Sequence, residues 1–129
     1  SKARVSKVTS PKRDSAAGDI AAHFTKREPA VQATYRALLA AARRLGPVTE
    51  EAKKTSIHLV RKTAFAGVAT RKAALVVTLK ADADIANARI VAHQQTSAHR
   101  WHLDVKLLGP KDVDAQFVGW LRHAYALAE

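Results

Sequence analysis

The side chains best suited to acid–base or metal chemistry in this sequence lie in the segment HRWHLDVKLL. Its alternation of apolar and polar residues predicts a strand, on which His99 and His102 point to opposite faces and cannot bind one metal ion together. His102 and Asp104 share a face, where they can form an acid–base dyad or support a metal ligand. Catalysis needs several converging groups, whereas this pair stands between Arg100 and Lys106. We therefore interpret it as a surface pair, and we predict no catalytic or metal-binding residue.

Sequence motifs of common enzymes are missing from the chain. The five glycines are scattered and form neither GxxxxGK nor GxGxxG. There is no GxSxG nucleophile elbow and no HExxH zinc motif. The chain has no cysteine, which excludes disulfides, thiolate metal sites and cysteine nucleophiles. The sequence thus predicts a protein that is not an enzyme and that uses no cofactor.

The charge balance points to a polyanionic partner. Among the 129 residues, 22 Lys and Arg stand against 11 Asp and Glu, for a formal net charge of +11. A surplus of this size favours RNA, DNA or an anionic membrane as the partner. No apolar run is long enough to span a bilayer, and the N-terminus lacks the apolar stretch of a signal peptide. We therefore expect a cytoplasmic protein that does not bind membranes.

The first 13 residues, SKARVSKVTSPKR, form a basic segment without any acidic residue. They contain no aromatic residue and no apolar periodicity, so this segment cannot bury enough surface to fold alone. We predict a flexible basic tail over residues 1–13, which becomes ordered on a nucleic acid, and a single folded domain over residues 14–129.

A strand, a tight turn and a helix are predicted for the C-terminal part of that domain. Trp101, Leu103, Val105 and Leu107 alternate with polar residues, as expected for a strand with one face in a core. Gly109–Pro110 interrupts the strand pattern. Apolar residues then recur at helical spacing, and together they form one stripe: Val113, Phe117, Trp120, Leu121, Ala124 and Ala128.

The remaining elements are predicted from the same periodicities. A short helix covers residues 14–28, and a longer one begins at Pro29 and ends before Gly46–Pro47. Four strand segments follow: TSIHLVRK, AFAGVAT, KAALVVTLK and ARIVAH. We predict a turn or loop for HQQTSA, residues 93–98. The predicted fold is α+β: an antiparallel meander sheet of about five strands, with the N-terminal helices and the C-terminal helix packed on one face.

The opposite face of this sheet is predicted to be open and basic. Alternation assigns to it His58, Lys62, Lys80, Arg100, His102 and Lys106, with Asp104 as the nearby acidic residue.

Several segments together resemble a known family. These are FAGV at residues 65–68, HRWHLDVKL at 99–107, GPKDVD at 109–114 and WLRHAYAL at 120–127. The chain resembles the bacterial "domain of unknown function 5655" family over roughly residues 19 to 128. It departs from the family pattern at Gly109, where serine is usual, and at His123, where an acid is common. The resemblance implies an α+β sheet-and-helix domain and assigns no catalytic residue.

These observations favour a nucleic-acid-binding protein. The aromatic residues lie on apolar stripes, so we expect recognition through phosphate contacts and shape, as suits a structured RNA such as ribosomal RNA in the ribosome. The predicted contact residues are Lys2, Arg4, Lys7, Lys12, Arg13, Lys26, Arg27, Lys62, Arg100 and Lys106. One alternative is a DNA-binding accessory domain. Another is a small-molecule-binding or catalytic domain that uses His102 and Asp104 in a pocket between sheet and helices.

Overall fold

The computed structural model describes residues 20–129. The predicted basic tail and the start of the predicted first helix lie outside the described residues. Residues 20–22 are helical, and turns follow up to residue 27. The partly buried side chains of Ile20 and Phe24 pack against the core. The predicted helix over 14–28 therefore ends earlier than expected, because the chain turns after residue 22 and Pro29 begins the next helix.

Two longer helices confirm the predicted apolar stripes. Helix α1 spans Pro29–Arg43, and Pro29 suits its first turn because the missing N–H has no intrahelical partner there. Helix α2 spans Ala115–Leu127 and follows a single 3-10 turn, Pro110–Asp112. Asp114 caps α2 by accepting a hydrogen bond from the Phe117 amide at 3.0 Å.

The strands form one antiparallel sheet of six. They are β1 (Thr49–Ala52), β2 (Ile57–Val60), β3 (Ala64–Thr70), β4 (Leu75–Ala81), β5 (Ile90–Ser97) and β6 (Arg100–Leu107), in the spatial order β1-β2-β3-β4-β6-β5. The α+β prediction is confirmed, with six strands in place of about five. The additional strand is β1, whose short TEEA sequence lacks the apolar alternation that marks a half-buried strand.

The loop prediction for residues 93–98 is wrong. Most of this polar segment belongs to β5, which pairs with β6 as an antiparallel hairpin up to Ser97↔Arg100. All residues of β5 after Ile90 are exposed, because β5 is the outer strand of the sheet. Backbone pairing, which does not depend on side-chain hydropathy, makes this segment a strand.

Both helices lie on one face of the sheet, where they bury a single core. Ile57, Leu59, Val77 and Val105 face them and have no solvent exposure. A bulge opposite Leu59 and Val60 adds one residue to β3 and places Phe65 in the core, where its ring meets that of Tyr125 edge-on at 5.2 Å. The other face carries half-buried and exposed side chains, as predicted.

A partly buried hydrogen bond joins α1 to β1. The Tyr35 hydroxyl donates to Glu50 at 2.5 Å, and Arg43 lies 3.5 Å from the same carboxylate. Burial, and then the hydrogen bond to Glu50, raise the pKa of Tyr35 far above its ordinary value. Within residues 20–129, no helix is both long enough and apolar enough to cross a membrane.

Candidate nucleic-acid interface

Two turns at the same end of the sheet carry pairs of cations. The β1–β2 turn contains Lys53 and Lys54, and the β3–β4 turn contains Arg71 and Lys72. The pairing of β2 with β3 runs antiparallel, so the beginning of β2 lies beside the end of β3 and both turns leave the sheet together. All four side chains belong to exposed residues.

The segment that precedes α1 brings two more cations to this end. The Thr70 hydroxyl donates to the His23 carbonyl at 2.6 Å, and Arg27 Nε donates to the Thr70 hydroxyl at 3.1 Å. The Glu28 amide donates to the Lys72 carbonyl at 2.8 Å. These bonds fix Lys26 and Arg27 beside the β3–β4 turn. We name this group the basic end: Lys26, Arg27, Lys53, Lys54, Arg71 and Lys72.

The basic end has a strong excess of positive charge. Its six cations face two nearby acidic residues, Glu28 and Glu51. Lys53 Nζ lies 3.4 Å from Glu51 Oε1, and both side chains remain about half exposed. An exposed pair of this kind interacts weakly because water screens it. The charge of the basic end is thus available to a polyanion.

A recess opens beside Lys53 and Lys54, between the β1–β2 turn and the chain that precedes Lys26. It has a volume of about 350 Å³ and is lined by Ala22, His23, Ala52, Lys53 and Lys54. His23 Nε2 lies 2.9 Å from the Lys53 carbonyl oxygen, which closes one side of the recess. The other side chains that line the recess are small or positively charged, so an anionic group can enter it from solvent.

The predicted contact residues fall at different places. Lys26 and Arg27 belong to the basic end. Lys106 lies on the open face, opposite Val76 and one residue from the point where β4 leaves the β3–β4 turn. Lys62 and Arg100 lie at the far end of the sheet, in the β2–β3 turn and at the start of β6. The structure therefore brings only part of the predicted set together, and the five tail cations lie outside the described residues.

The far end of the sheet is closer to charge balance. Arg61 lies 4.0 Å from Glu129, and His123 lies 2.8 Å from Asp82. The hydrogen bond from His123 is the main cause that lowers the pKa of Asp82, with a smaller contribution from Arg100. Acidic residues at the far end offset Arg61 and Arg100. Within residues 20–129, Lys53 is the one cation of the basic end that lies in an ion pair.

His102 and Asp104 share a face as predicted, but they do not lie between sheet and helices. Both point to the open face, and Asp104 Oδ1 accepts a hydrogen bond from the Thr78 hydroxyl at 2.6 Å. The pocket between the sheet and α2 measures about 60 Å³ and is lined by other residues, among them Ile85 and Trp120. The hypothesis of a sheet–helix pocket with this pair is therefore wrong in its location. Within residues 20–129, no group of three His, Asp or Glu side chains could hold a metal ion.

The family comparison agrees with this architecture. The model described as "Domain of unknown function (DUF5655)" matches residues 20–128, which is most of the chain. The chain belongs to the DUF5655 family. No curated protein and no solved structure gives a significant match. The DUF5655 match includes the sheet, both helices and every residue of the basic end, and the basic tail precedes it.

Sequence reasoning missed four residues of the basic end in this DUF5655 domain. Lys53–Lys54 and Arg71–Lys72 are visible in the sequence as two basic pairs, the first just before the first predicted strand and the second where the second predicted strand gives way to the third. Their spacing along the chain gives no hint that they meet, because this depends on which strands pair and in which register. The sequence did offer one indication, because each pair adjoins a predicted strand of the antiparallel sheet.

Proposed function

We propose that this protein binds nucleic acid, with structured RNA as the preferred partner, through phosphate contacts at the basic end. The observation that carries the proposal is the convergence of six exposed cations from three separate segments. Lysine and arginine side chains that neutralise phosphates release condensed counterions, which supplies most of the affinity of such complexes. The three segments are held together by the backbone bond from Glu28 to Lys72 and by side-chain bonds of Arg27, Thr70 and His23, which makes this surface preorganised.

The rest of the protein surface is consistent with recognition of RNA through its phosphates and its shape. The aromatic side chains among residues 20–129 are buried or partly buried, so they offer no stacking platform of the kind used by many single-strand-binding sheets. Helices α1 and α2 both turn their apolar stripes to the sheet. Their outer faces carry few cations, namely Arg36 and Arg43 on α1 and Arg122 on α2, and Arg43 lies 3.5 Å from Glu50. These faces therefore suit the reading of a DNA major groove less well than the basic end suits phosphate contacts. We propose a cytoplasmic location, with ribosomal RNA and the ribosome as the partner.

The basic tail would extend this interface. Residues 1–13 carry five Lys and Arg and no Asp or Glu, and the chain reaches the basic end shortly after them. We expect deletion of residues 1–13 to weaken RNA binding. If all five cations contact phosphates, the slope of log affinity against log salt should flatten by about three to five.

The test measures the binding of an RNA hairpin and of a DNA duplex with equal phosphate number, for the full chain and the deletion variant, over a range of salt concentrations. Tighter binding to the hairpin with the predicted change in slope supports the proposal. Tighter binding to the DNA duplex would favour a DNA-binding accessory domain. Undetectable binding of both at low salt would contradict nucleic-acid binding altogether.

A further inference from the structure

A hollow lies on the open face of the sheet, above β3. Its floor consists of small residues at consecutive outward positions of β3, namely Ala64, Gly67 and Ala69. The side chains of β2 and β4 rise on both sides of it, and its volume is about 270 Å³. Since neighbouring strands are about 4.8 Å apart, the two walls stand on backbones roughly 10 Å from each other. A flat ring fits between them, whereas a folded protein element does not.

Four polar side chains converge on the hollow. His58 stands on the β2 side, Thr78 and Lys80 stand on the β4 side, and His102 lies beyond Lys80 on β6. The Thr78 hydroxyl donates its hydrogen to Asp104, so its oxygen lone pairs are oriented by that bond. The two imidazole rings can stack on a base or hydrogen-bond to its edge.

Positive charge lies at both ends of the hollow. Ser56 and Ala69 line one end of it, and these residues adjoin the β1–β2 and β3–β4 turns of the basic end. Gly67 is four residues from Arg71 along β3, which corresponds to about 13 Å. Lys80 lies at the other end, where its ammonium group donates to the Thr63 hydroxyl at 3.2 Å. An anionic chain held at the basic end would therefore meet a second cation across the hollow.

We infer that this hollow binds one unpaired nucleotide of the RNA, with the base over Gly67 and a phosphate at Lys80. The inference rests on the proposed function, because the basic end supplies the neighbouring phosphate contacts. The apolar floor suits the face of a base, and the histidines and Thr78 suit its polar edge. A volume of about 270 Å³ is just below the usual range for small-molecule sites, which is consistent with a single nucleotide.

Gly67→Val is the variant that tests this inference. A Cβ at position 67 would meet only the His58 ring and Thr78 Cβ, both at 3.9 Å, which is ordinary van der Waals contact. The valine methyl groups would occupy the floor of the hollow where we place the base, and a β-branched residue favours the strand. Ala92→Val is the matched control, because Ala92 is an exposed residue opposite Asp104 on the same face, outside the hollow.

The experiment compares the wild-type protein with both variants on an RNA hairpin that has a single-stranded loop and on a blunt RNA duplex with the same number of phosphates. We expect Gly67→Val to weaken hairpin binding by about tenfold and to leave duplex binding unchanged. Ala92→Val should match the wild type on both. Equal hairpin affinity for Gly67→Val and wild type would overturn the inference and leave the proposed function intact. Failure of the wild type to bind either RNA would instead contradict the proposed function.

A second measurement does not depend on how Gly67→Val folds. The wild-type protein is titrated with the hairpin, and the backbone amide of Gly67 and the ring carbons of His58 and His102 are followed by NMR. Shifts at these positions with the hairpin, and none with the blunt duplex, support the inference. Shifts confined to the basic end would overturn it. Shifts with a free mononucleotide but not with the hairpin would also overturn it, because they would indicate a small-molecule site.

Discussion

Asp114 combines two local roles at the junction of β6 and α2. Its carboxylate accepts the Phe117 amide at the N-terminus of the helix, and Arg89 donates to the same oxygen at 2.9 Å. The Phe117 hydrogen bond, followed by the one from Arg89, lowers the pKa of Asp114. Arg89 also donates to the Asp112 carbonyl at 2.8 Å, so one guanidinium fastens the chain before β5 to the turn before α2.

The variant Asp114→Asn distinguishes the contribution of the helix cap from that of the negative charge. Asparagine caps helices about as well as aspartate, so the variant keeps the hydrogen bond to Phe117 and loses the ion pair with Arg89. Because the pKa of Asp114 is lowered in the folded state, its ionised form stabilises the fold above the unfolded-state pKa, and this stabilisation is lost as pH falls through the folded-state pKa. We expect the wild type to have the higher melting temperature at pH 7 and the difference to shrink towards pH 2. A difference that stays constant over this range would contradict the assignment.

At the scale of elements, the connection from α1 to β1 is held by α2. Gly46 has φ +152°, and a Cβ at this position would lie 2.3 Å from the Tyr125 hydroxyl oxygen. That hydroxyl donates to the Pro47 carbonyl at 3.0 Å. The glycine is therefore required both by the backbone conformation and by the close approach of α2.

Gly46→Ala should destabilise the protein by about 1–3 kcal/mol, measured by urea unfolding. Tyr125→Phe removes the hydroxyl that the new methyl group would strike, so the double variant should lose less than the sum of the two single losses. Additive losses would show that the strain comes from the backbone conformation alone. An unchanged stability of Gly46→Ala would contradict the close approach itself.

The elements that the sequence predicted correctly are those with one buried face. α1, α2 and β6 each repeat apolar residues at their own period, because one side of each packs into the core. β1 and the second half of β5 were missed, since they are outer strands whose side chains are largely exposed. They are strands because they hydrogen-bond to β2 and β6, and the hydropathy pattern of a sequence does not reveal such bonds.

The candidate site was predictable to a smaller extent. Alternation correctly assigned Lys106, His102 and Asp104 to the open face, because a strand's faces follow from its period. The basic end depends on hydrogen bonds between distant residues, such as that from Glu28 to Lys72. The hollow likewise depends on the strand pairing, because Gly67 forms its floor between β2 and β4, and the bulge of β3 lies at Phe65.

At the scale of the whole molecule, positive charge is unevenly distributed. Residues 20–129 contain 17 Lys and Arg and 9 Asp and Glu. The cations of the basic end come from three segments with two acidic neighbours, whereas at the far end Arg61 lies 4.0 Å from Glu129 and Arg100 is close enough to Asp82 to lower its pKa. An uneven field of this kind orients a polyanion as well as attracting it. We therefore predict that the position of the cations, and not net charge alone, decides binding.

The most direct test compares two pairs of charge reversals that change the net charge equally. Arg71→Glu/Lys72→Glu alters the basic end, and Lys62→Glu/Arg100→Glu alters the far end. The hydrogen bonds of Lys72 and Lys62 to other segments use backbone atoms, so both variants should fold. With an RNA hairpin at about 0.1 M salt, we predict a loss of affinity of about tenfold or more for the first variant and a several-fold smaller loss for the second. Equal losses for the two variants, or none for the first, would contradict binding at the basic end.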